Sequence, residues 1–262
     1  MRALSTAATG MAAQQLNVEV ISNNIANMNT VGYKRQRAEF QDLLYQDQEQ
    51  VGSQSDASGT IVPTGLQIGS GVKAGSIYRI TQQGSMTQTG NPLDLAIQGA
   101  GYFQVQMPSG ETAYTRAGNL SVNNSGQIVT DQGYAVLPQI TIPSGATNIV
   151  ISQSGLVQAT LPGQAASQTL GQFQLATFVN EAGLEGLGDN LWQVSGASGP
   201  AVVGQPSVNG FGTLLQGYTE ASNVDAVSEV TSLIAAQRAY EMNSKVVTTA
   251  DQMLSTTVQA KS

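Results

Sequence analysis

Residues 222–262 read SNVDAVSEVTSLIAAQRAYEMNSKVVTTADQMLSTTVQAKS and contain neither proline nor glycine. Large apolar residues recur every seven positions along this stretch, and two more stand beside them: Leu233, Tyr240, Val247 and Leu254, with Val230 and Ile234. A seven-residue apolar repeat is typical of a helix that packs against another helix, as in a coiled coil. The stretch therefore predicts one long helix over residues 223–258, and its apolar face needs a partner.

The N-terminal stretch carries a similar repeat. Residues 3–28 predict a helix, and four of its apolar residues also lie seven apart: Leu4, Met11, Val18 and Ile25. Asparagines and Gly32 follow, which is typical of a helix end. Each terminal helix can cover the apolar face of the other, so we expect the two to pair. We call these ten residues of the two helices the assembly seam.

Between the helices the sequence predicts β structure. Short alternating runs over residues 72–217 are separated by turn residues, and three of them form strand–turn–strand patterns. The patterns are GYFQVQM-PSG-ETAYTR from 101, LSV-NNSG-QIVT from 120, and NIVIS-QSG-LVQAT from 148. We therefore expect an α+β protein in which paired, coiled-coil-like terminal helices flank an inserted, mostly antiparallel all-β domain.

Composition shifts divide the chain further. Residues 1–45 and 218–262 are predicted to form one discontinuous helical assembly domain, and residues 72–217 the β domain. Residues 46–71 are rich in Gln, Ser and Gly and predict an extended linker or arm. The stretch YKRQRAEFQDLLYQ, residues 33–46, favours a second short helix. The basic cluster Lys34, Arg35 and Arg37 within it is predicted to be a solvated face rather than a contact with an acidic neighbour.

The composition excludes several function classes. A net charge of −7 disfavours nucleic acid as a partner. Histidine and cysteine are absent, which removes the usual general base, thiol nucleophile and most metal ligands. Glu181, Glu185 and Asp189 remain as candidates for a catalytic pair of carboxylates. The glycines between them instead predict a solvated loop. We therefore expect no enzyme activity, no cofactor and no metal.

Neither a membrane span nor a cleaved signal peptide is expected. No apolar run approaches the ~18 residues that a membrane helix needs. The N-terminus has one arginine and lacks a continuous apolar core with a cleavage site. Export, if it occurs, is expected to use another route.

Several stretches resemble the flagellar basal-body rod and hook family. They are SNNIANMNTVGYKRQRAEFQDLLYQ near the start, LDLAIQGAGYFQV and AYTRAGNLSVNNSGQIVT in the middle, and QRAYEMNSKVVTTADQML near the end. Together they run along essentially the whole chain. The continuation YKRQRAEFQDLLYQ and the segment PTGLQIGSGV are similar to the distal-rod members in particular. Tyr33 and Tyr102 stand where relatives often have phenylalanine.

The resemblance implies a structural subunit of the flagellar distal rod, a rigid hollow drive shaft that transmits motor torque to the hook. It implies self-assembly into a helical homopolymer in the basal body, from the periplasm to the outer membrane, after type III export. The implied partners are proximal rod proteins, the hook or hook-junction protein, the periplasmic bushing rings and the flagellar type III export apparatus. The resemblance also suggests that residues 46–71 brace adjacent subunits, through Pro63, Leu66 and Ile68.

Two alternatives remain open at this point. The chain is also compatible with a proximal rod or hook subunit of the same family. In a different class, it is compatible with a secreted binding module that does not polymerise, with the helices as a closed stalk. Assembly by non-closing contacts, which grows with concentration, distinguishes a rod subunit from such a module.

Overall fold

The computed structural model describes residues 2–49, 64–162 and 166–259. Helix α1 spans Arg2–Ala26 and helix α2 spans Ala226–Gln259. Strands fill much of the chain between them, and the strand pairs of the β unit are antiparallel. The predicted α+β class, with terminal helices flanking an antiparallel β region, is confirmed.

The start of α2 differs from the sequence prediction. The backbone N–H of Ser228 donates to Oδ1 of Asp225 at 2.7 Å, so Asp225 caps the helix and the first helical residue is Ala226. Ser222, immediately before the predicted start at residue 223, accepts a hydrogen bond from the N–H of Val224 at 3.3 Å. The helix therefore begins three residues later than the sequence predicts.

The described part of the chain contains twenty strands. In chain order, β1 to β10 are Gln36–Asp42, Tyr45–Glu49, Leu66–Gly69, Val72–Arg79, Met86–Gln88, Leu95–Gln98, Tyr102–Gln106, Thr112–Thr115, Leu120–Val122 and Ile128–Thr130. Strands β11 to β20 are Ala135–Leu137, Asn148–Ile151, Leu156–Thr160, Gln168–Gln172, Leu175–Thr177, Glu185–Gly188, Leu191–Gln193, Val202–Gly204, Thr213–Gln216 and Tyr218–Glu220.

The chain divides into two compact units. The helical unit comprises residues 1–25, 36–78 and 225–262, and the β unit comprises residues 26–35 and 79–224. In the helical unit, β1 pairs with β4 and β2 pairs with β3. The second pairing places Tyr45 opposite Gly69 and Gln46 opposite Ile68.

The β unit is built around a sheet that has nine strands among the described residues. Its main order is β16-β17-β8-β7-β11-β10-β9, and β15 joins β7 to β18. The three predicted hairpins are confirmed as β7–β8, β9–β10 and β12–β13. Their turns place Gly110, Gly126 and Gly155 at φ of +87°, +81° and +83°, a region that favours glycine.

The core of the β unit is formed by inward-facing residues of these strands. Phe103 on β7 and Phe173 after β14 are fully buried, and their rings meet edge to face with centroids 6.2 Å apart. A smaller cluster packs Tyr102 and Tyr114 around Phe178. The hydrophobic core therefore lies in the β unit.

The predicted second helix in residues 34–45 is wrong. This segment contains β1 and the first residue of β2 instead. Phe40, Leu43 and Leu44 fit one face of a helix, but pairing of β1 with the distant β4 decides the local structure.

In the described part of the chain, neither α1 nor α2 has an apolar stretch long enough to cross a bilayer.

Candidate assembly interface

The two terminal helices lie antiparallel in the helical unit. Nδ2 of Asn24 on α1 donates to Oε2 of Glu229 on α2 at 3.1 Å. Fourteen residues back along α1, a Cβ on Gly10 would lie 2.9 Å from Nδ2 of Asn243, which is fourteen residues further along α2. This register places Arg2 opposite Asp251.

Small and polar residues make the closest contact between these helices. Ala7 and Ala13 on α1 and Ala236 on α2 are buried. Asn24 is buried as well, and its amide also exchanges hydrogen bonds with the backbone of Gln36, at 2.8 and 2.9 Å. Val20 and Ile21 on α1 are buried too, so the buried part of the pair combines small, polar and two larger apolar residues.

The assembly seam separates into two groups in the single subunit. Half-buried positions are Leu4, Met11, Val18, Ile25, Leu233 and Val247. Exposed positions, each with 38–47% of the residue accessible, are Val230, Ile234, Tyr240 and Leu254. The structure therefore brings the two halves of the seam onto neighbouring helices and leaves part of it uncovered in the single subunit.

Further apolar residues on α2 are exposed outside the seam. They are Val227, Met242, Val246, Met253 and Val258. Monomeric proteins seldom expose so many large apolar side chains on one element. The uncovered surface of α2 is therefore the strongest candidate interface in the helical unit.

Two cavities lie along the helix pair. One, of about 420 Å³, is lined by Ala3, Met242, Lys245, Val246, Thr249, Ala250 and Met253. The other, of about 340 Å³, is lined by Gln15, Val18, Glu19, Gln237, Tyr240 and Glu241. We call them the lysine cavity and the glutamate cavity, after the charged residues that line them.

The predicted bracing arm is partly described. Leu66 and Ile68 lie on β3, paired with β2, and are 50% and 38% exposed. Leu44 and Tyr45, at the start of this ribbon, are also exposed. Pro63 lies outside the described residues. The ribbon thus presents apolar side chains to solvent, as α2 does.

A buried ionic network that the sequence did not predict lies in the β unit. Glu220 is 1% exposed, and its carboxylate accepts hydrogen bonds from Nζ of Lys34 at 2.5 Å, Nε of Arg116 at 2.6 Å and the N–H of Gly84 at 2.9 Å. Lys34 and Arg116 are 4% and 5% exposed. We call Lys34, Arg116 and Glu220 the connector network, because Lys34 lies in the stretch that follows α1 and Glu220 in the stretch that leads to α2.

Backbone contacts complete this network. The Arg116 guanidinium also donates to the carbonyl oxygens of Gly101 and Gly99, at 2.9 and 2.6 Å. The N–H of Gly32 donates to the carbonyl of Glu220 at 2.8 Å, which bonds the two connecting stretches directly. Only Arg37 of the basic cluster behaves as a solvated surface cation, paired with Glu39 at 2.8 Å. The predicted solvated face is therefore wrong for Lys34.

Burial and charge act in opposite directions on the connector network. Burial would raise the pKa of the Glu220 carboxyl, but Arg116 and Lys34 outweigh it and hold that pKa below its ordinary value of 4.5. Burial lowers the pKa of the Lys34 ammonium, although Glu220 counteracts part of the effect. Glu220 is therefore ionised at neutral pH.

The acidic residues considered for catalysis lie in turns and at the sheet edge. Glu181 begins a short 3-10 helix, Glu185 begins β16, and Asp189 occupies a turn at φ of +51°. Glu181 accepts a hydrogen bond from the hydroxyl of Tyr102 at 3.3 Å. Among the residues with assigned positions, no group of three or more acidic, histidine or cysteine side chains is placed to hold a metal ion.

Three segments, at both ends and in the middle of the chain, match known protein families. Residues 4–34 match the family described as flagella basal body rod protein. Residues 96–159 match the flagellar hook protein FlgE/F/G D1 domain. Residues 215–260 match the C-terminal family of flagellar basal body rod FlgEFG proteins. The matches include most of α1, all of α2 and the centre of the β unit.

Three whole-length relatives share one name. A flagellar basal-body rod protein FlgG from Caulobacter vibrioides is 70% identical over 262 residues, which is all of both chains. One from Agrobacterium fabrum is 54% identical, with 97% of each chain covered, and one from Bacillus subtilis is 41% identical, with 100% of this chain and 99% of the relative covered. The chain therefore belongs to the flagellar basal-body rod protein family, in the group of relatives named FlgG.

Proposed function

We propose that this chain, a structural subunit of the flagellar distal rod, polymerises through α1 and α2 into the wall of a rigid hollow shaft. The observation that carries the proposal is the uncovered apolar surface of α2. The contact between α1 and α2 uses small residues such as Ala7 and Ala236, so it leaves Ile234 and Val230 exposed. Covering such residues in a polymer contributes ~25 cal/mol per Å² of apolar surface removed from water.

The proposed role is mechanical and involves no catalysis. The helical unit supplies the contacts between subunits, and strands β2 and β3 with their exposed leucine and isoleucine brace neighbouring copies. Other rod and hook components, which belong to the same family, continue the shaft at its two ends. Delivery by the flagellar type III apparatus and rotation inside the periplasmic rings belong to the same proposal.

The charge distribution supports rotation within rings. Residues 132–180 and 190–219 contain no charged residue. The surface that these two uncharged segments contribute offers no ion pairs to a surrounding surface. Charged substitutions at exposed Gln205 and Asn209 should therefore leave assembly intact but slow rotation of tethered cells, and unchanged rotation speed would contradict this part.

Assembly itself is tested by Ile234→Asp. Ile234 is 47% exposed, so the single subunit should tolerate the carboxylate. Between subunits the same carboxylate would be buried without a partner, at a cost of several kcal/mol. Electron microscopy of the concentrated protein should show rods for wild type and none for Ile234→Asp.

The matched control is Ile234→Leu, which keeps the side chain apolar and close in volume. It should still form rods. Rods from Ile234→Asp as abundant as those from wild type would refute assembly through this surface of α2.

A further inference from the structure

Helix α2 extends beyond its partner. The antiparallel register set by Asn24 with Glu229 and by Gly10 with Asn243 aligns residue 2 of α1 with residue 251 of α2. The described residues of α1 therefore do not reach positions 254–259, which extend ~9 Å further. Leu254 and Val258 in this extension are 38% and 70% exposed, and their i, i+4 spacing puts them on one helix face.

Leu254 lies on the same face of α2 as Val247 and Ala236, which are seven and eighteen residues earlier in the chain. A leucine at this position would be covered if α1 were longer. The described part of α1 therefore does not supply cover for Leu254 and Val258.

Charge distinguishes the two cavities as binding sites for the C-terminal end of α2. The segment 252–260 is uncharged, and Lys261 follows Val258 by three residues in the sequence. The glutamate cavity offers Val18 and Tyr240 as apolar lining and two carboxylates, Glu19 and Glu241. The lysine cavity presents Lys245, which repels a second lysine.

We propose that the C-terminal end of α2 in one copy, residues 253–261, packs into the glutamate cavity of a second copy. Leu254 and Val258 cover Val18 and Tyr240, and Lys261 is attracted to Glu19 and Glu241. The cavity lies midway along the helix pair and the inserted end lies at its tip, so the contact joins different surfaces. Such a contact does not close on itself and propagates a helical polymer. The inference rests on the polymerisation proposed above and specifies its partner surfaces.

Cysteine cross-linking tests the contact, because the chain has no cysteine of its own. Gln237→Cys lines the glutamate cavity and Val258→Cys lies on the inserted end. The two positions are ~30 Å apart along one helix, too far for a disulfide within a chain, which needs Cα atoms within ~7 Å. Rods assembled from an equal mixture of the two single variants should yield a disulfide-linked 237–258 peptide, detected by mass spectrometry after oxidation.

The matched control pairs Val258→Cys with Thr249→Cys, which lines the lysine cavity. These positions are ~14 Å apart along the helix, so a disulfide within one chain is excluded again. This mixture should yield no linked 249–258 peptide. A strong 249–258 product, or normal rods without the 237–258 product, would overturn the proposed contact while leaving polymerisation in place.

A charge exchange provides the second test. Lys261→Glu should raise the protein concentration needed for rod formation several-fold, and adding Glu241→Lys should lower it again. If the second substitution fails to restore assembly, the charge pairing is wrong. Failure of wild-type chain to form rods at any concentration would instead overturn the proposed function on which the contact rests.

Discussion

Removing the charge of Glu220 should destabilise the β unit strongly. Its carboxylate accepts three hydrogen bonds, from Lys34, Arg116 and the N–H of Gly84. Glu220→Gln keeps the shape but leaves one oxygen acceptor and adds an N–H₂ group that faces cationic donors. Two charge-assisted hydrogen bonds are lost, each worth roughly 1.5–3 kcal/mol, so we expect a loss of about 3–5 kcal/mol.

The assay is urea unfolding of the full chain, monitored by tryptophan fluorescence. Trp192 is the single tryptophan and lies in the β unit, 3.5 Å below the guanidinium carbon of Arg79. A loss of this size is a large share of the roughly 5–15 kcal/mol that typical domains have, so the transition midpoint should fall markedly. The control Glu111→Gln changes an exposed carboxylate in the same unit and should shift stability by no more than about 0.5 kcal/mol.

Acid provides an internal check on the same carboxylate. The folded-state pKa of Glu220 lies below its ordinary value, so its contribution is complete above pH 4.5 and disappears as the pH falls through the folded-state pKa. The difference in unfolding free energy between wild type and Glu220→Gln should therefore shrink in acid. A difference below about 1 kcal/mol at neutral pH, or one that does not change in acid, would refute the reasoning.

Three other predictions concern the helices, the arm and the sheet. Val247→Asp, at a half-buried seam position on α2, should abolish rod formation by electron microscopy while the Trp192 unfolding transition stays as in wild type. Deletion of residues 46–65 should leave rods that are curved or flexible in micrographs, and straight rods would contradict the bracing role. Gly118→Ala should destabilise the β unit by several kcal/mol in urea unfolding, because a Cβ there would overlap the carbonyl oxygen of Leu95; Gly196→Ala, with open space around it, should cost far less.

Local patterns in the sequence were sufficient for the helices and hairpins. A seven-residue repeat without glycine or proline defines α2, and glycines such as Gly110 and Gly126 at left-handed turn positions define the hairpins. Each of these signals lies within one continuous stretch of sequence. It therefore does not depend on how distant segments pair.

The failures involve partners that are distant in the chain. Strand β1 pairs with β4 some thirty residues later, and nothing within residues 34–45 distinguishes a helix from a strand. Lys34 and Glu220 are separated by 186 residues, so each looks like an ordinary surface charge in its own neighbourhood. One signal was available for Arg116, since it is the only charged residue in the stretch AYTRAGNL of a chain with only 10% charged residues.

The seam shows a different limit. A seven-residue repeat of large residues identifies which faces of α1 and α2 are apolar, but Ala7 and Ala236 are buried while the seam residue Ile234 is exposed. Small residues allow a close approach and carry little hydropathy. A pattern based on large apolar residues therefore predicts the apolar face of each helix but not the small residues that are buried on it.

The connector network also has a mechanical consequence. The chain crosses between the two units four times, after residues 25, 35, 78 and 224. Two segments of the β unit beside these crossings, residues 26–35 and 220–224, are bonded to each other by Gly32, Lys34 and Glu220. A force on either segment is therefore carried in part by the other, as well as by the sheet.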